Sequence, residues 1–167
     1  MDHLITQLDC WLRDHRSDYY KELNPPATNE ELEMLEEVAG APIPADFKKL
    51  LLWKNGQSSD CVSTFHPLTN EMFVSTSHML NNMREMKELV QYGDIQVWED
   101  GWAPFMDNGG GDVTCIDFKT GEIITRDHET EELTRLSSLH DWMTALLKEL
   151  STNNFDEWDF DECRSAS

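Results

Sequence analysis

The sequence predicts one domain of mixed helices and strands, built around a β-hairpin in the second half of the chain. The glycine triplet Gly109-Gly110-Gly111 separates the polar pair Asp107-Asn108 from a run that is apolar on both parities, Val113 to Phe118. Glycine gives a turn access to positive φ, and such a run suits a strand buried on both faces of a sheet. Lys119-Thr120-Gly121 then predicts a turn into a second strand, Glu122 to Thr125. Most other apolar residues recur at helical spacing, so we expect helices around this hairpin.

The composition is strongly acidic. Among 167 residues, 33 are Asp or Glu and 13 are Lys or Arg, which leaves a formal charge of −20. Nucleic acids and anionic membranes bind proteins through clustered Lys and Arg, so neither is expected as a direct partner. The charge favours a basic protein partner, or none.

The four cysteines, Cys10, Cys61, Cys115 and Cys163, are widely spaced and form no C-x-x-C pair. Neither a zinc site nor a redox motif is therefore indicated. The N-terminal residues show no basic region followed by an apolar one, and no run approaches the length of a membrane span. We expect a cytoplasmic protein with reduced thiols.

The first half of the chain predicts three helices. Residues 1–24 form an N-terminal amphipathic helix and a connector, because apolar side chains recur at helical spacing from Leu4 to Leu12 and the pattern breaks before Pro25-Pro26. Thr28 and Glu31 fit a capping box at the start of the next helix, which Gly40 should end. Pro44 is expected to begin a third helix that continues to Asn55-Gly56, either residue of which can take the left-handed cap.

The middle of the chain predicts two short strands and a helix. Residues 61–65 and 71–74 are the strand candidates, and Ser75, Thr76 or Ser77 can cap a helix through about Tyr92. Methionines on this helix suit a soft binding groove or a filled core, and core filling is the more ordinary interpretation. Residues 95–98 are a further strand candidate.

After the hairpin, residues 127–132 are expected to form a polar loop. A last amphipathic helix should begin near Ser138, with Asp141 in the capping position, and run to Leu150. The tail, 151–167, alternates acidic and aromatic residues. We expect the rings of Phe155, Trp158 and Phe160 to pack against protein, since they are too apolar to stay ordered alone in water.

No catalytic or ligand-binding motif is present in the sequence. The glycine triplet lacks the Lys-Ser/Thr pair of a P-loop, the spacing of a dinucleotide fingerprint and the alternating carboxylates of a calcium loop. Cys115 with a histidine would be a nucleophile pair, but a cysteine inside an apolar strand is more often a small buried hydrophobe. We therefore expect no enzyme activity, no metal and no cofactor.

The order of features resembles the SUKH superfamily, whose known branches include fungal cell-wall-assembly regulators and bacterial immunity proteins. The matching motifs cover residues 25–150, outside which the N-terminal helix and the tail lie. They are Pro-x-Thr-x-x-Glu-Leu at Pro26, Ile-Pro-x-Asp-Phe-Lys-x-Leu at Ile43, Asn55-Gly56, Trp102-x-Pro104-Phe105, Gly109-Gly110-Gly111-Asp112, Cys115-x-Asp117, Gly121 and the closing helix with Trp142.

The resemblance implies an α+β fold, with helices packed around a central, mostly antiparallel sheet, and a binding function without catalysis. In the bacterial branch such a protein binds and neutralises a cognate toxin, often a nuclease or deaminase. Because a toxin acting on nucleic acid needs a basic face, an acidic inhibitor would be steered onto it. The alternative is a regulatory scaffold of the fungal kind.

Two sets of residues follow from this interpretation. Candidates for partner contact are exposed carboxylates and two aromatic anchors: Trp53, Asp60, Trp102, Asp107, Glu129, Glu131 and Glu132. Trp53 and Trp102 are included because each flanks a family turn, although a place in the core is the more ordinary interpretation of either. The family motif residues are interpreted as structural, since a helix cap, a turn and a carboxylate that accepts backbone hydrogen bonds all serve the fold. These are Asn55, Gly56, Gly109, Gly110, Gly111, Asp112, Asp117 and Gly121.

Overall fold

A computed structural model of the protein describes residues 1–95, 97–153, 155 and 160. Its elements in chain order are α1 (Asp2–His15), α2 (Ser17–Lys21), α3 (Asn29–Ala39), α4 (Ala45–Trp53), β1 (Met72–Phe73), α5 (Thr76–Tyr92), β2 (Trp102–Asp107), β3 (Val113–Asp117), β4 (Ile123–Arg126), β5 (Leu133–Leu136) and α6 (Leu139–Thr152). The strands form one sheet in the order β1-β2-β3-β4-β5, and all neighbouring strands are antiparallel. The α+β fold with a central antiparallel sheet is confirmed.

The glycine triplet forms the turn between β2 and β3. Gly109 and Gly111 adopt φ values of 72° and 108°, in the left-handed region that glycine tolerates. All five residues of β3 are buried, and this strand pairs with β2 on one side and β4 on the other. The hairpin predicted at the centre of the fold is therefore present.

Two strands were not predicted from the sequence. Pro104 interrupts the strand pattern of β2, and the register with β3 shifts between Pro104 and Met106 to accommodate it. β5 is mostly exposed, so it lacks the apolar alternation that marks a half-buried strand.

Three other local predictions were wrong. Residues 61–65 form no named strand, and residues 95, 97 and 98 lie outside any strand, while Gln96 lies outside the described residues. α2 lies in the segment where we expected the helical pattern to break. Finally, α4 ends at Lys54 in an extended conformation, so Asn55-Gly56 does not cap the helix; Gly56 is left-handed two residues later.

The other predicted helix ends are present. The Thr28 hydroxyl accepts a hydrogen bond from the Glu31 backbone at 3.3 Å, and the Glu31 carboxylate accepts one from the Thr28 backbone at 2.7 Å. Gly40 closes α3 in the left-handed conformation. Ser75 and Ser138 cap α5 and α6.

The core has a large part and a small part. The large cluster joins α1, α3, α4, α5 and α6 to the sheet, and it takes in Met79 and Met83, so these methionines fill the core. The small cluster consists of buried Trp102, Val113, Cys115 and Ile124, with the partly buried Val97, Trp98 and Leu133 packed against it. Trp102 is 0 % exposed. Trp102 therefore lies in the core, the more ordinary of its two interpretations, and presents no surface to a partner in this structure.

Phe160 connects the tail to the N-terminal segment. Its ring is 1 % exposed and lies 3.6 Å from the guanidinium carbon of Arg16, and its carbonyl accepts a hydrogen bond from the Thr64 backbone at 2.8 Å. Phe155 is partly buried and contacts the Phe160 ring at 5.8 Å between centroids. The expected burial holds for Phe160, and Trp158 lies outside the described residues.

Cysteines occupy three depths in the described part of the chain. Cys10 is exposed, Cys61 is partly buried and Cys115 is buried, and each is a free thiol. Cys163 lies outside the described residues. None of the helices among the described residues combines the length and apolar character needed to cross a bilayer.

Candidate functional site

A groove of about 760 Å³ opens between the N-terminal ends of α3 and α5. Three segments line it, drawn from residues 24–31, 55–61 and 72–81. The second of these carries the Asn-Gly pair of the family motif. The sequence did not predict the groove, because its walls lie far apart along the chain.

The floor of the groove is the segment 55–57, which supplies the lining residues Asn55 and Gln57 and lies beside β1, outside the five-stranded sheet. The Gln57 backbone donates to the Phe73 carbonyl at 2.7 Å. On the other side, the Asn24 backbone donates to the Gly56 carbonyl at 2.9 Å. The segment is thus held on both sides by backbone hydrogen bonds.

Asn55 ties the two helix ends together. Its side-chain oxygen accepts from the Thr76 backbone at 2.8 Å, and its amide nitrogen donates to the Glu31 carboxylate at 3.1 Å and the Thr76 hydroxyl at 3.0 Å. The residue is 7 % exposed. A carboxamide suits this position because it supplies an acceptor for the start of α5 and donors for a carboxylate and a hydroxyl.

Gly56 is required by close packing as well as by its backbone conformation. Its φ is 68°, and a Cβ placed there would lie 2.4 Å from the Val74 carbonyl carbon and 2.5 Å from the Ser75 nitrogen. Because these are backbone atoms, no side-chain movement relieves the contact. The family pair Asn55-Gly56 therefore has a structural explanation, and Asn55 also lines the groove.

Gln57 is a site residue that sequence reasoning missed. Its side-chain oxygen accepts from the Tyr19 hydroxyl at 2.8 Å and the Phe73 backbone at 3.2 Å. Its amide nitrogen donates to the carbonyls of Ser63 at 2.8 Å and Cys61 at 3.2 Å. A lone glutamine after an Asn-Gly pair carries no sequence signal for four such partners.

Glu31 is the carboxylate of the groove lining. The backbone hydrogen bond from Thr28 holds the pKa of Glu31 below its usual value, so the group is ionised at neutral pH. Residues 22–31, 55–61 and 72–81 contain no Lys or Arg. The groove therefore presents the negative charge of Glu31, and its segments contribute no Lys or Arg to offset it.

The glycine turn is linked to the groove through His78. The His78 ring lines the groove, and its Nε2 lies 3.0 Å from Asp107 Oδ2, while Asp107 Oδ1 accepts from the Gly109 backbone at 2.6 Å. Burial alone would raise the pKa of Asp107, but the hydrogen bonds from His78 and Gly109 outweigh it and the pKa is lowered.

A second histidine holds the other end of the turn. Asp112 Oδ1 accepts from the His128 backbone at 2.9 Å and lies 2.8 Å from its ring Nδ1. The hydrogen bond with Asp112 raises the pKa of His128. Asp107 and Asp112 therefore fix the ends of the turn.

The remaining sequence candidates are dispersed. Asp60 is exposed beside the groove, whereas Glu129 and Glu132 are exposed in the loop between β4 and β5. Glu131 lies in the same loop and accepts from Arg126 at 3.1 Å. Trp53 is partly buried, and its indole nitrogen donates to Asp9 at 2.8 Å.

The structural motif residues of the central hairpin bond to the backbone around them. Asp117 accepts from the Lys119 backbone at 2.8 Å through its side chain and from the Gly121 backbone at 2.7 Å through its carbonyl. Gly121 has a φ of 79°. These contacts are those expected of a turn after β3.

The groove lining offers hydrogen-bonding groups rather than an activated nucleophile. Cys61 and His78 both line it, but burial raises the pKa of the Cys61 thiol and its sulfur lies 3.8 Å from the Ser63 carbonyl. A raised pKa disfavours the thiolate that nucleophilic attack requires. Within residues 1–95 and 97–153, no three His, Cys, Asp or Glu side chains are grouped to hold a metal ion.

A comparison with known protein families gives a match over most of the chain. The family model described as SMI1 / KNR4 family (SUKH-1) matches residues 26–145, which include the groove segments from Pro26 onward and the whole sheet. α1 and α2 lie outside the match. No curated protein matches the chain.

Proposed function

This chain belongs to the SMI1/KNR4 family (SUKH-1), and from that premise we propose that it is a non-catalytic binding protein that neutralises a cognate toxin. The toxin acts on nucleic acid, as a nuclease or a deaminase. The protein blocks its basic face.

The observation that supports this proposal is a preformed groove on a strongly acidic protein. The side chains of Asn55 and Gln57 form hydrogen bonds within the protein, and these bonds hold the floor of the groove in one conformation. A fixed surface loses little conformational entropy on binding. With 33 acidic and 13 basic residues, long-range attraction favours a cationic protein surface over a polyanion.

The test begins with the reading frames that neighbour this gene, where the proposal predicts a toxin, and continues with co-expression of this chain and that toxin's domain. Cells that express the toxin domain alone should stop growing, and cells that also express this chain should grow. Surface plasmon resonance between roughly 50 and 500 mM salt, where screening lengths shrink from about 14 to about 4 Å, should show a falling on-rate. Loss of growth in the presence of the chain would refute neutralisation, and a salt-independent on-rate would refute electrostatic steering.

The alternative, a regulatory scaffold, predicts a different outcome. A scaffold would form a stable complex with a host protein, and cells that express both the toxin domain and this chain would still stop growing. Affinity purification of the chain from its own cells, followed by the growth assay, separates these functions.

A further inference from the structure

We propose that the groove binds an extended, basic segment of the partner protein, with Glu31 and Asp60 facing its Lys or Arg side chains. This inference rests on the proposed binding function and adds the place of contact and the chemistry of the occupant.

The charge around the groove selects a cationic occupant. Residues 22–31, 55–61 and 72–81, which hold every lining residue, carry four carboxylates and no Lys or Arg: Glu22, Glu30, Glu31 and Asp60. Basic side chains close to these segments have partners of their own: Arg16 donates to the Ser63 hydroxyl at 2.6 Å, Lys21 pairs with Asp18 at 2.6 Å, and the Lys54 ammonium lies 4.8 Å from the centre of the Tyr20 ring. The positive end of α3 is already offset by Glu31 in the capping box.

The uncharged part of the lining selects an extended main chain. Nine of the sixteen lining residues are Ser, Thr, Asn or Gln. Exposed members of this set, such as Ser59, Ser77 and Asn81, can pair with peptide N–H and C=O groups, which an extended segment presents and a helix satisfies internally. Pro25, Pro26, Met72 and Val74 add apolar surface between the polar groups.

The geometry of the groove is fixed before any partner arrives. Asn55 joins the ends of α3 and α5, and the close approach of Gly56 to Val74 holds the floor against β1. A segment that enters the groove therefore meets a surface that is already ordered, so most of the conformational entropy lost on binding is that of the segment.

The experiment is a titration of the full, ¹⁵N-labelled chain with three synthetic peptides of the same Gly-Ser backbone. One carries two Arg, one carries two Glu and one carries no charge. The Arg peptide should shift amide resonances in residues 55–61 and 72–81, and the Glu peptide should not. Shifts centred on residues 127–132, equal shifts with the Glu peptide, or no shifts at millimolar peptide would overturn the inference.

A matched pair of variants separates groove binding from general attraction. Asp60→Lys and Glu129→Lys make the same charge change at exposed positions, and Asp60 lies beside the groove whereas Glu129 lies in the β4–β5 loop. Asp60→Lys should weaken binding of the Arg peptide about fivefold or more, and Glu129→Lys less than about twofold. Equal effects would overturn the inference.

Failure of this inference is distinguishable from failure of the proposed function. If Asp60→Lys still protects cells and binds the toxin domain as the native chain does, the groove assignment is wrong and neutralisation stands. If the Arg peptide binds in the groove but no protection occurs, the groove assignment stands and neutralisation is wrong.

Discussion

Replacing Gly56 by Ala tests whether the groove floor depends on a close backbone approach. Gly40 supplies the control, because both glycines are left-handed, with φ values of 68° and 65°. A Cβ at Gly40 meets nothing within 4 Å, whereas one at Gly56 would lie 2.4 Å from the Val74 carbonyl carbon. The two variants therefore share the conformational cost and differ in the steric one.

The magnitudes follow from these two contributions. A left-handed Ala costs about 1–2 kcal/mol, which is the whole effect expected for Gly40→Ala. Forcing extra volume into a packed site adds about 1–3 kcal/mol, so Gly56→Ala should lose about 2–5 kcal/mol. For a chain of this size, each 1 kcal/mol lowers Tm by about 2–4 °C.

Urea denaturation followed by far-ultraviolet circular dichroism measures both free energies of unfolding. Both variants should keep the slope of the native chain, which shows that the comparison concerns stability. Equal losses in Gly56→Ala and Gly40→Ala would refute the close approach and, with it, our account of the Asn-Gly pair.

Three further predictions concern buried polar and aromatic groups. Asn55→Asp places a second carboxylate about 3.1 Å from Glu31 and should cost about 2–4 kcal/mol in urea denaturation. Phe160→Ala removes a ring that is 1 % exposed and packed on Arg16, and should cost about 3–5 kcal/mol in thermal unfolding. Burial lowers the pKa of His66 to about 4, below its unfolded value of about 6.5. The unfolded chain therefore binds the proton first, and stability should fall by about 3 kcal/mol as pH drops from about 6.5 to about 4.

Each of these has a control outcome. Relative to the native chain, the loss in Asn55→Asp should shrink as the pH falls and the new carboxyl group takes up a proton. A loss that does not change with pH would exclude charge repulsion as the cause. A Phe160→Leu variant keeps apolar volume and should retain more stability than Phe160→Ala. His66→Gln should flatten the pH dependence between about 4 and 6.5, and an unchanged slope would assign it to other groups.

Local features of the fold could be predicted from the sequence. The capping box at Thr28 and Glu31, the cap at Ser138 and the glycine turn before β3 each depend on residues within a few positions of one another. β2 was missed because Pro104 lacks a backbone N–H donor, which argues against a central strand. In the structure, the register between β2 and β3 shifts after Pro104. β5 was missed because a mostly exposed edge strand needs no apolar face.

The site was less predictable than the fold. Asn55-Gly56 was identified through the family resemblance, but its partners, Thr76 and Val74, follow it by about twenty residues. Gln57 carried no signal, because its four hydrogen bonds exist only after three segments meet. Trp102 flanks a turn, so the sequence left both the surface and the core open for it, and the small cluster encloses it.

The three described cysteines differ in burial, so their rates of reaction with a thiol reagent report on different opening motions of the protein. Cys10 lies at the surface, Cys61 is half-covered and Cys115 is enclosed in the small cluster. With Cys163 replaced by Ser, an aromatic disulfide reagent would modify Cys10 at once, Cys61 after a local fluctuation and Cys115 only after β3 leaves its neighbours. Labelling rates across a range of urea concentrations then convert into opening free energies. If the labelling rate of Cys115 depends little on urea, unlike global unfolding, then the small cluster around Cys115 opens locally while the large cluster that joins the helices to the sheet stays folded.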